Sequence, residues 1–209
     1  MLLSLVPRTQ PSRAMLVLSP VLAGEQTFEE IVLNDLNWYA DNGIKLLLGR
    51  KVVKIDRKKR LVIADDGSEA EYDRLLIATG SNPFILPIPG KDLQGVIGYR
   101  DIADTQVMME TAKTHKHAVV IGGGLLGLEA ANALKSLGLE AHVVEFAPRL
   151  MPVQLDDAGG AALKARIEAL GVGVHLSRAT QEIIVGEQYA YRMVFQDGEF
   201  LETDLIVFS

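Results

Sequence analysis

The run Ala118-Val-Val-Ile-Gly-Gly-Gly-Leu-Leu-Gly-Leu-Glu129 constrains the fold more than any other stretch of this chain. It sets an apolar strand before a G-x-G-x-x-G pattern and an Ala-rich helix after it, and that context turns a common pattern into a dinucleotide fingerprint. Gly122 suits the tight turn out of the strand, Gly124 lets backbone approach a pyrophosphate, and Gly127 lets the helix lie close to the sheet. The anion is expected against backbone N–H groups of the Gly122, Gly123, Gly124, Leu125, Leu126 and Gly127 loop, at the head of a helix running to about 137.

After a turn at Gly138, residues 141–145 predict the second parallel strand, ending in Glu145 about 20 residues beyond the glycines. A carboxylate there can accept the ribose hydroxyls of adenosine. It also repels a 2′-phosphate, which favours NAD over NADP, although Arg149 nearby offers a phosphate contact.

The rest of the composition removes alternatives. There is no cysteine, which excludes a redox disulfide, a thiolate-held iron–sulfur cluster and a cysteine nucleophile within these 209 residues. A net charge of −6 argues against a nucleic-acid partner. The basic positions of 50–60 alternate as on the wet face and turn of a hairpin. No run is long and apolar enough to span a membrane, and the first residues lack a secretory signal's order, so a cytoplasmic location is expected.

An internal repeat sets the architecture. Helix 27–40 and strand 43–48 in the first half match helix 156–170 and strand 171–176 in the second. Hairpins follow in both, and Asp66/Asp197, Gly67/Gly198 and Asp73/Asp204 keep a common offset of 131 residues. Residues 71–78 are expected to form a strand like 201–208. The fold class is therefore α/β, with two Rossmann-like dinucleotide-binding domains carrying β-hairpin insertions, assigned to residues 1–100 and 101–209. The first lacks an N-terminal glycine motif. Both ends are expected to cut through domains, which would favour self-association through uncovered strand edges.

Together these features resemble the two-domain flavoprotein pyridine nucleotide oxidoreductases. Longer stretches carry the likeness to the large subunits of assimilatory NAD(P)H-dependent nitrite reductases: Leu18-Ser-Pro-Val-Leu-Ala-Gly-Glu25, Leu75-Leu-Ile-Ala-Thr-Gly-Ser81, Tyr99-Arg-Asp-Ile-Ala-Asp104, Val120-Ile-Gly-Gly-Gly-Leu-Leu-Gly-Leu-Glu-Ala130, and Glu145-Phe-Ala-Pro-Arg-Leu-Met151 before Gln154-Leu-Asp156. The resemblance implies nitrate assimilation, with electrons passing from NAD(P)H to FAD, then to an iron–sulfur cluster and siroheme where nitrite becomes ammonia. It implies a flavin-side role for Ala78, Thr79 and Gly80 and a catalytic position near the nicotinamide for Glu129. Siroheme and cluster binding fall to parts outside this chain, and a small subunit or self-association belongs to the intact enzyme.

Relatives begin with an FAD glycine fingerprint and then carry a Tyr-x-Arg segment, at whose positions this chain has Arg13, Ala14 and Met15, so an altered start is expected and FAD binding is the open point. Two alternatives remain: an NADH-dependent rubredoxin or ferredoxin reductase, and a non-catalytic dinucleotide-binding protein.

Other residues are expected to be structural. His115 and His117 lie just before the glycine-loop strand and His142 and His175 read as isolated on strands; with no cysteine beside them, no metal site is expected. Trp38 reads as core or domain-contact packing, and Asp101 and Asp104 as helix caps. Ser19 and Ser81 lack a His-Asp arrangement.

Overall fold

A computed structural model of the chain describes residues 2–5, 18–80 and 83–209. Its elements begin with β1 (Leu2–Leu5), α1 (Leu18–Leu22), α2 (Leu36–Asp41), β2 (Ile44–Leu47), β3 (Val52–Asp56), β4 (Leu61–Ala64) and β5 (Glu69–Glu71). They continue with β6 (Val96–Gly98), α3 (Ile102–Thr114), β7 (His117–Ile121), α4 (Leu125–Ser136), β8 (Glu140–Val144), α5 (Asp157–Ala169), β9 (Gly173–His175), β10 (Thr180–Val185), β11 (Tyr191–Phe195), β12 (Phe200–Thr203) and β13 (Leu205–Phe208). Contacts divide them into unit 1, Met1–Ala14 with Thr27–Ser81, and unit 2, Met15–Gln26 with Asn82–Ser209. This division differs from the boundary at 100 and 101 expected from sequence, because β6 pairs with β13 of unit 2. Arg13, Ala14, Met15 and Ser81 lie outside the described residues, as does the side chain of Ser19.

Unit 2 is built on a parallel sheet in the order β6-β13-β7-β8-β9. Strand β13, residues 118–121 of β7 and residues 143–144 of β8 are apolar on both faces because both are covered. On one face lies α4, whose Ala130, Ala131 and Ala133 are buried and let the helix approach closely. On the other lies the antiparallel sheet β10-β11-β12, which sets Ile183, Met193 and Phe195 against Val119, Val144, Ile206 and Phe208. Chain direction across the sheet reverses at β7, whose neighbours are β8 and β13, so the crevice beyond its C-terminal end is where ligands bind in such sheets.

A part-buried ion pair fixes the turn of the antiparallel sheet. Glu202, with 9% of its side chain exposed, pairs with Arg192 at 2.7 Å and accepts from the backbone N–H groups of Glu187, Gln188 and Tyr189. The Glu187 N–H first, and then Arg192, hold its carboxyl down to about 2. Glu202→Gln is expected to lower the melting temperature at neutral pH. The folded pKa is depressed, so the contribution is full above the ordinary 4.5 and is lost as pH falls through about 2. The gap between wild type and variant should therefore close over that interval in thermal melts followed by circular dichroism.

Unit 1 repeats the hairpin chemistry of unit 2. In each, the middle strand closes on an Asp-Gly turn with the same bonds at the 131-residue offset. Gly67 N–H reaches Ala64 O and Gly198 N–H reaches Phe195 O, both at 3.0 Å; Ser68 N–H and Glu199 N–H reach Asp66 Oδ1 and Asp197 Oδ1, both at 3.1 Å. Both turn glycines have positive φ, 81° and 86°. Arg50 pairs with Asp66, and Lys51, Lys54 and residues 57–60 are exposed; Val52, Val53 and Ile55 between them are exposed as well, so β3 does not show the one wet face that the alternation predicts.

Two elements expected in unit 1, a helix and a strand, do not form over their expected lengths. The helix expected over 27–40 is confined to α2, because Asp35 has extended backbone and caps it by accepting from Trp38 N–H at 2.8 Å. Trp38 is 42% exposed and packs edge-on against Tyr39 rather than in a core. The strand expected over 71–78 ends at Glu71, and Leu75, Leu76 and Ile77 are exposed. Its unit-2 counterpart, β13, is held between β6 and β7; the described residues of unit 1 contain no strand paired with 74–77.

Candidate functional site

The glycine fingerprint lies where β7 passes into α4. Gly122 has φ +123°, a conformation L side chains rarely adopt, and a Cβ on Gly127 would stand 2.0 Å from Gly122 O. Loop and helix therefore touch backbone to backbone. A Cβ on Gly124 would instead meet nothing within 4 Å, so this residue is bare toward open space. Helices α2, α3 and α5 are capped by Asp35, Asp101 and Asp156, whereas Gly124 gives α4 no side-chain cap. The N–H groups of Leu125, Leu126 and Gly127 are thus first-turn donors without intrahelical acceptors, facing the positive end of the helix dipole.

Glu145 follows β8 and clamps this loop. Its Oε2 accepts from Gly123 N–H at 2.7 Å and its Oε1 from Ala147 N–H at 2.8 Å, leaving a lone pair on each oxygen for a further donor. Met151, at φ +47°, donates its N–H to Gly123 O at 2.9 Å, tying the 145–155 loop to the glycines. Arg149 is committed elsewhere: Nε donates to Leu155 O at 2.9 Å, Nη2 to Pro152 O at 3.3 Å, and Nη1 pairs with Asp157 at 2.8 Å. Its guanidinium is spent on the approach to α5 rather than held ready for a phosphate.

A cleft of about 440 Å³ opens beyond the strand ends, lined by Ile121, Gly122, Val144, Glu145, Phe208 and Arg178 among others. Phe146, 76% exposed, stands on its rim. Arg178 is braced by Asp197 and by Glu199 at 2.8 Å, with its guanidinium 5.6 Å from the Phe195 ring centre. Its N–H donates to Glu145 O at 3.0 Å, after Ser177 turns the chain at φ +55°. Sequence reasoning missed Arg178, Met151 and Ser177, since two are backbone roles of ordinary residues and the third is assembled from three separate loops.

The remaining candidates are distributed as follows. Glu129 is half-buried one turn into α4. Ala78, Thr79 and Gly80 are exposed in unit 1, and the cleft is lined by unit-2 residues. Asp101 and Asp104 form a capping box on α3, with burial pushing the Asp104 carboxyl up. His142 and His175 are not isolated, since His142 Nδ1 lies 3.0 Å from His175 Nε2; the His117 ring packs against Tyr189 at 4.1 Å. No group of three or more metal-ligating side chains occurs among the described residues, and no described helix is long and apolar enough to cross a membrane.

A strand-loop-helix of this geometry, with a carboxylate closing the loop, defines a dinucleotide-binding module. The chain belongs to the pyridine nucleotide-disulphide oxidoreductase family, whose sequence model matches residues 5–209. It is 51% identical over 181 residues to the NAD(P)H nitrite reductase large subunit of Klebsiella oxytoca, covering 87% of this chain and 19% of that protein. It is 44% identical over 199 residues to the NAD(P)H nitrite reductase of Bacillus subtilis, covering 95% of this chain and 25% of that protein. A ferredoxin reductase structure from Rhodopseudomonas palustris matches with a TM-score of 0.91 at 27% identity, over 99% of this chain and 51% of that one. The chain thus spans about a fifth to a quarter of the length of these nitrite reductases.

The family binds NAD(P)H and FAD, and the two groups fare differently here. The bare Gly124, the uncapped α4 and Glu145 fit a pyridine dinucleotide. In unit 1 no described glycine loop precedes a helix, and residues 78–80 are exposed and irregular, so the described residues do not make an FAD cradle.

Proposed function

We propose that unit 2 binds NADH as the electron-entry module of a flavoprotein oxidoreductase of the nitrite reductase type, and that electrons entering there reduce nitrite to ammonia in the whole enzyme. The observation that carries the reading is the uncapped N-terminus of α4 behind a bare Gly124, with Glu145 at the rim of the adjoining cleft. In it, the N–H groups of Leu125, Leu126 and Gly127 hold the pyrophosphate, and the remaining lone pairs of Glu145 accept the adenosine ribose hydroxyls. Glu129 is assigned to the nicotinamide side, and 78–80 to the flavin side of the intact arrangement. Nicotinamide supplies the hydride, so these residues need only bind, orient and shield.

The level of identity to nitrite reductases supports that assignment over a carrier-protein reductase. The fold match to a ferredoxin reductase is what favours the second reading, in which electrons leave to a separate carrier. Titration of the chain with NADH, followed by nicotinamide fluorescence, tests the nucleotide site; saturation at one equivalent is expected, and no binding would overturn the reading. Incubation with excess FAD, removal of free cofactor and a visible spectrum then separate two cases. Retained flavin bleached by NADH would make the chain a working module, and no retained flavin would confine its activity to nucleotide binding.

A further inference from the structure

Two histidines from neighbouring strands meet beside the cleft. His142 of β8 and His175 of β9 share one sheet face, and His142 packs over Gly173, where any Cβ would stand 2.1 Å from its Nδ1. His142 Nε2 lies 3.3 Å from Glu140 Oε1, and Glu140 Oε2 lies 3.7 Å from His117 Nδ1. The carboxylate can only accept, so in the neutral pair His142 donates through Nε2, and its Nδ1 accepts from His175 Nε2–H at 3.0 Å. The bond survives while one of the two facing nitrogens lacks a proton. With both protonated, two donors and two like charges confront each other.

The pair is wired to the nucleotide site through backbone. His175 O accepts from Glu145 N–H at 2.8 Å, and Glu145 O accepts from Arg178 N–H at 3.0 Å. Ser177 N–H reaches Ala147 O at 3.0 Å, so the loops after β8 and β9 run as one ladder. Any parting of β9 from β8 at His175 moves the residue whose carboxylate closes the glycine loop.

We propose that the His142–His175 pair positions Glu145 and makes nucleotide binding in the cleft pH-dependent, an inference that rests on the dinucleotide reading above. The charges around the pair favour this direction. Burial first, then His142, Arg178 of the following loop and Lys164 of α5, push the His175 imidazole below its ordinary 6.5, with Glu168 of α5 opposing. On the other side stand Glu140, which faces His142, and His117 beyond it. The paired state is therefore complete above 6.5 and is lost as pH falls below it.

The test is calorimetric titration of the full chain with ADP-ribose at about pH 8 and about pH 5.5, the window in which histidine changes charge. ADP-ribose avoids the acid lability of NADH, and its pyrophosphate keeps the same charge throughout. If about a fifth of molecules remain competent at the lower pH, apparent Kd rises about fivefold. His175→Gln keeps a neutral donor at the ε position and should bind with a flat pH profile. His142→Asn keeps an acceptor at the δ1 position and should also flatten it. A flat wild-type profile overturns the inference and leaves the nucleotide reading standing. A profile that both variants retain likewise overturns it, whether its source is another group or general acid unfolding. Absence of binding at about pH 8 sinks the nucleotide reading and the inference with it.

Discussion

Gly124→Ala is expected to weaken nucleotide binding by about 100-fold while leaving the chain as stable as wild type to within a few degrees, and Gly127→Ala to lower both binding and stability. At Gly124 the backbone has φ −82°, which alanine adopts freely, and the new methyl meets nothing within 4 Å. The folding cost is that of a poorer N-cap, about 1 kcal/mol at most, or a melting shift of about 2–4 °C for a domain of this size. In the proposed complex, however, the methyl occupies the space through which the pyrophosphate reaches the helix donors. Forfeiting two hydrogen bonds to a charged group, at about 1.5 kcal/mol or more each, weakens binding by about 100-fold or more.

At Gly127 the added Cβ stands 2.0 Å from a backbone oxygen, which cannot rotate away as a side chain would. Helix α4 has to lift from the sheet, at a cost of about 1–3 kcal/mol or more, against about 1 kcal/mol recovered from helix propensity. Thermal melts and NADH titrations on both variants separate the roles. If Gly124→Ala binds NADH like wild type, the pyrophosphate is not at this helix.

What was legible in the sequence was whatever local chemistry alone determines. The glycines, the Ala-rich helix behind them and Glu145 at the end of the next strand follow short-range rules, and α4, β8 and the Asp-Gly turns occur where those rules put them. What escaped depends on partners distant in the chain. Residues 75–77 have the same apolar character as 206–208 of β13, but a strand exists only where another strand accepts its hydrogen bonds. The apolar positions of 27–40 suit a helix until Asp35 spends its carboxylate on Trp38 N–H and starts α2 anew.

His142 and His175 are 33 residues apart, and only the register that sets Val144 beside His175 brings them together. Arg149 shows the same limit from the other direction. Its position near Glu145 suggested a phosphate ligand, and two carbonyls and Asp157 occupy it instead.

That commitment of Arg149 shapes the outcome expected for Glu145→Gln, which should equalise NADH and NADPH binding without inverting the preference. In wild type a 2′-phosphate would approach a carboxylate fixed by Gly123 and Ala147 N–H groups, and could not turn it aside without breaking both bonds. Repulsion between charges about 4 Å apart is worth about 1–4 kcal/mol between the water and protein-surface limits, so NADH should lead by about 5-fold or more. The glutamine keeps one acceptor for the loop but turns its amide NH₂ toward the other N–H donor, so one bond is lost, at about 1–3 kcal/mol where the freed group is buried.

NADH binding should therefore weaken as the ribose loses a charged acceptor, while NADPH gains relief from repulsion. Neither Arg149 nor Arg178 is free to reward the phosphate, because Arg149 is engaged by Leu155, Pro152 and Asp157 and Arg178 by Asp197 and Glu199. Dissociation constants for both nucleotides, measured on wild type and variant at one ionic strength, decide the matter. A preference for NADH undiminished in the variant would mean that the ribose is recognised by other groups and that Glu145 serves the loop alone.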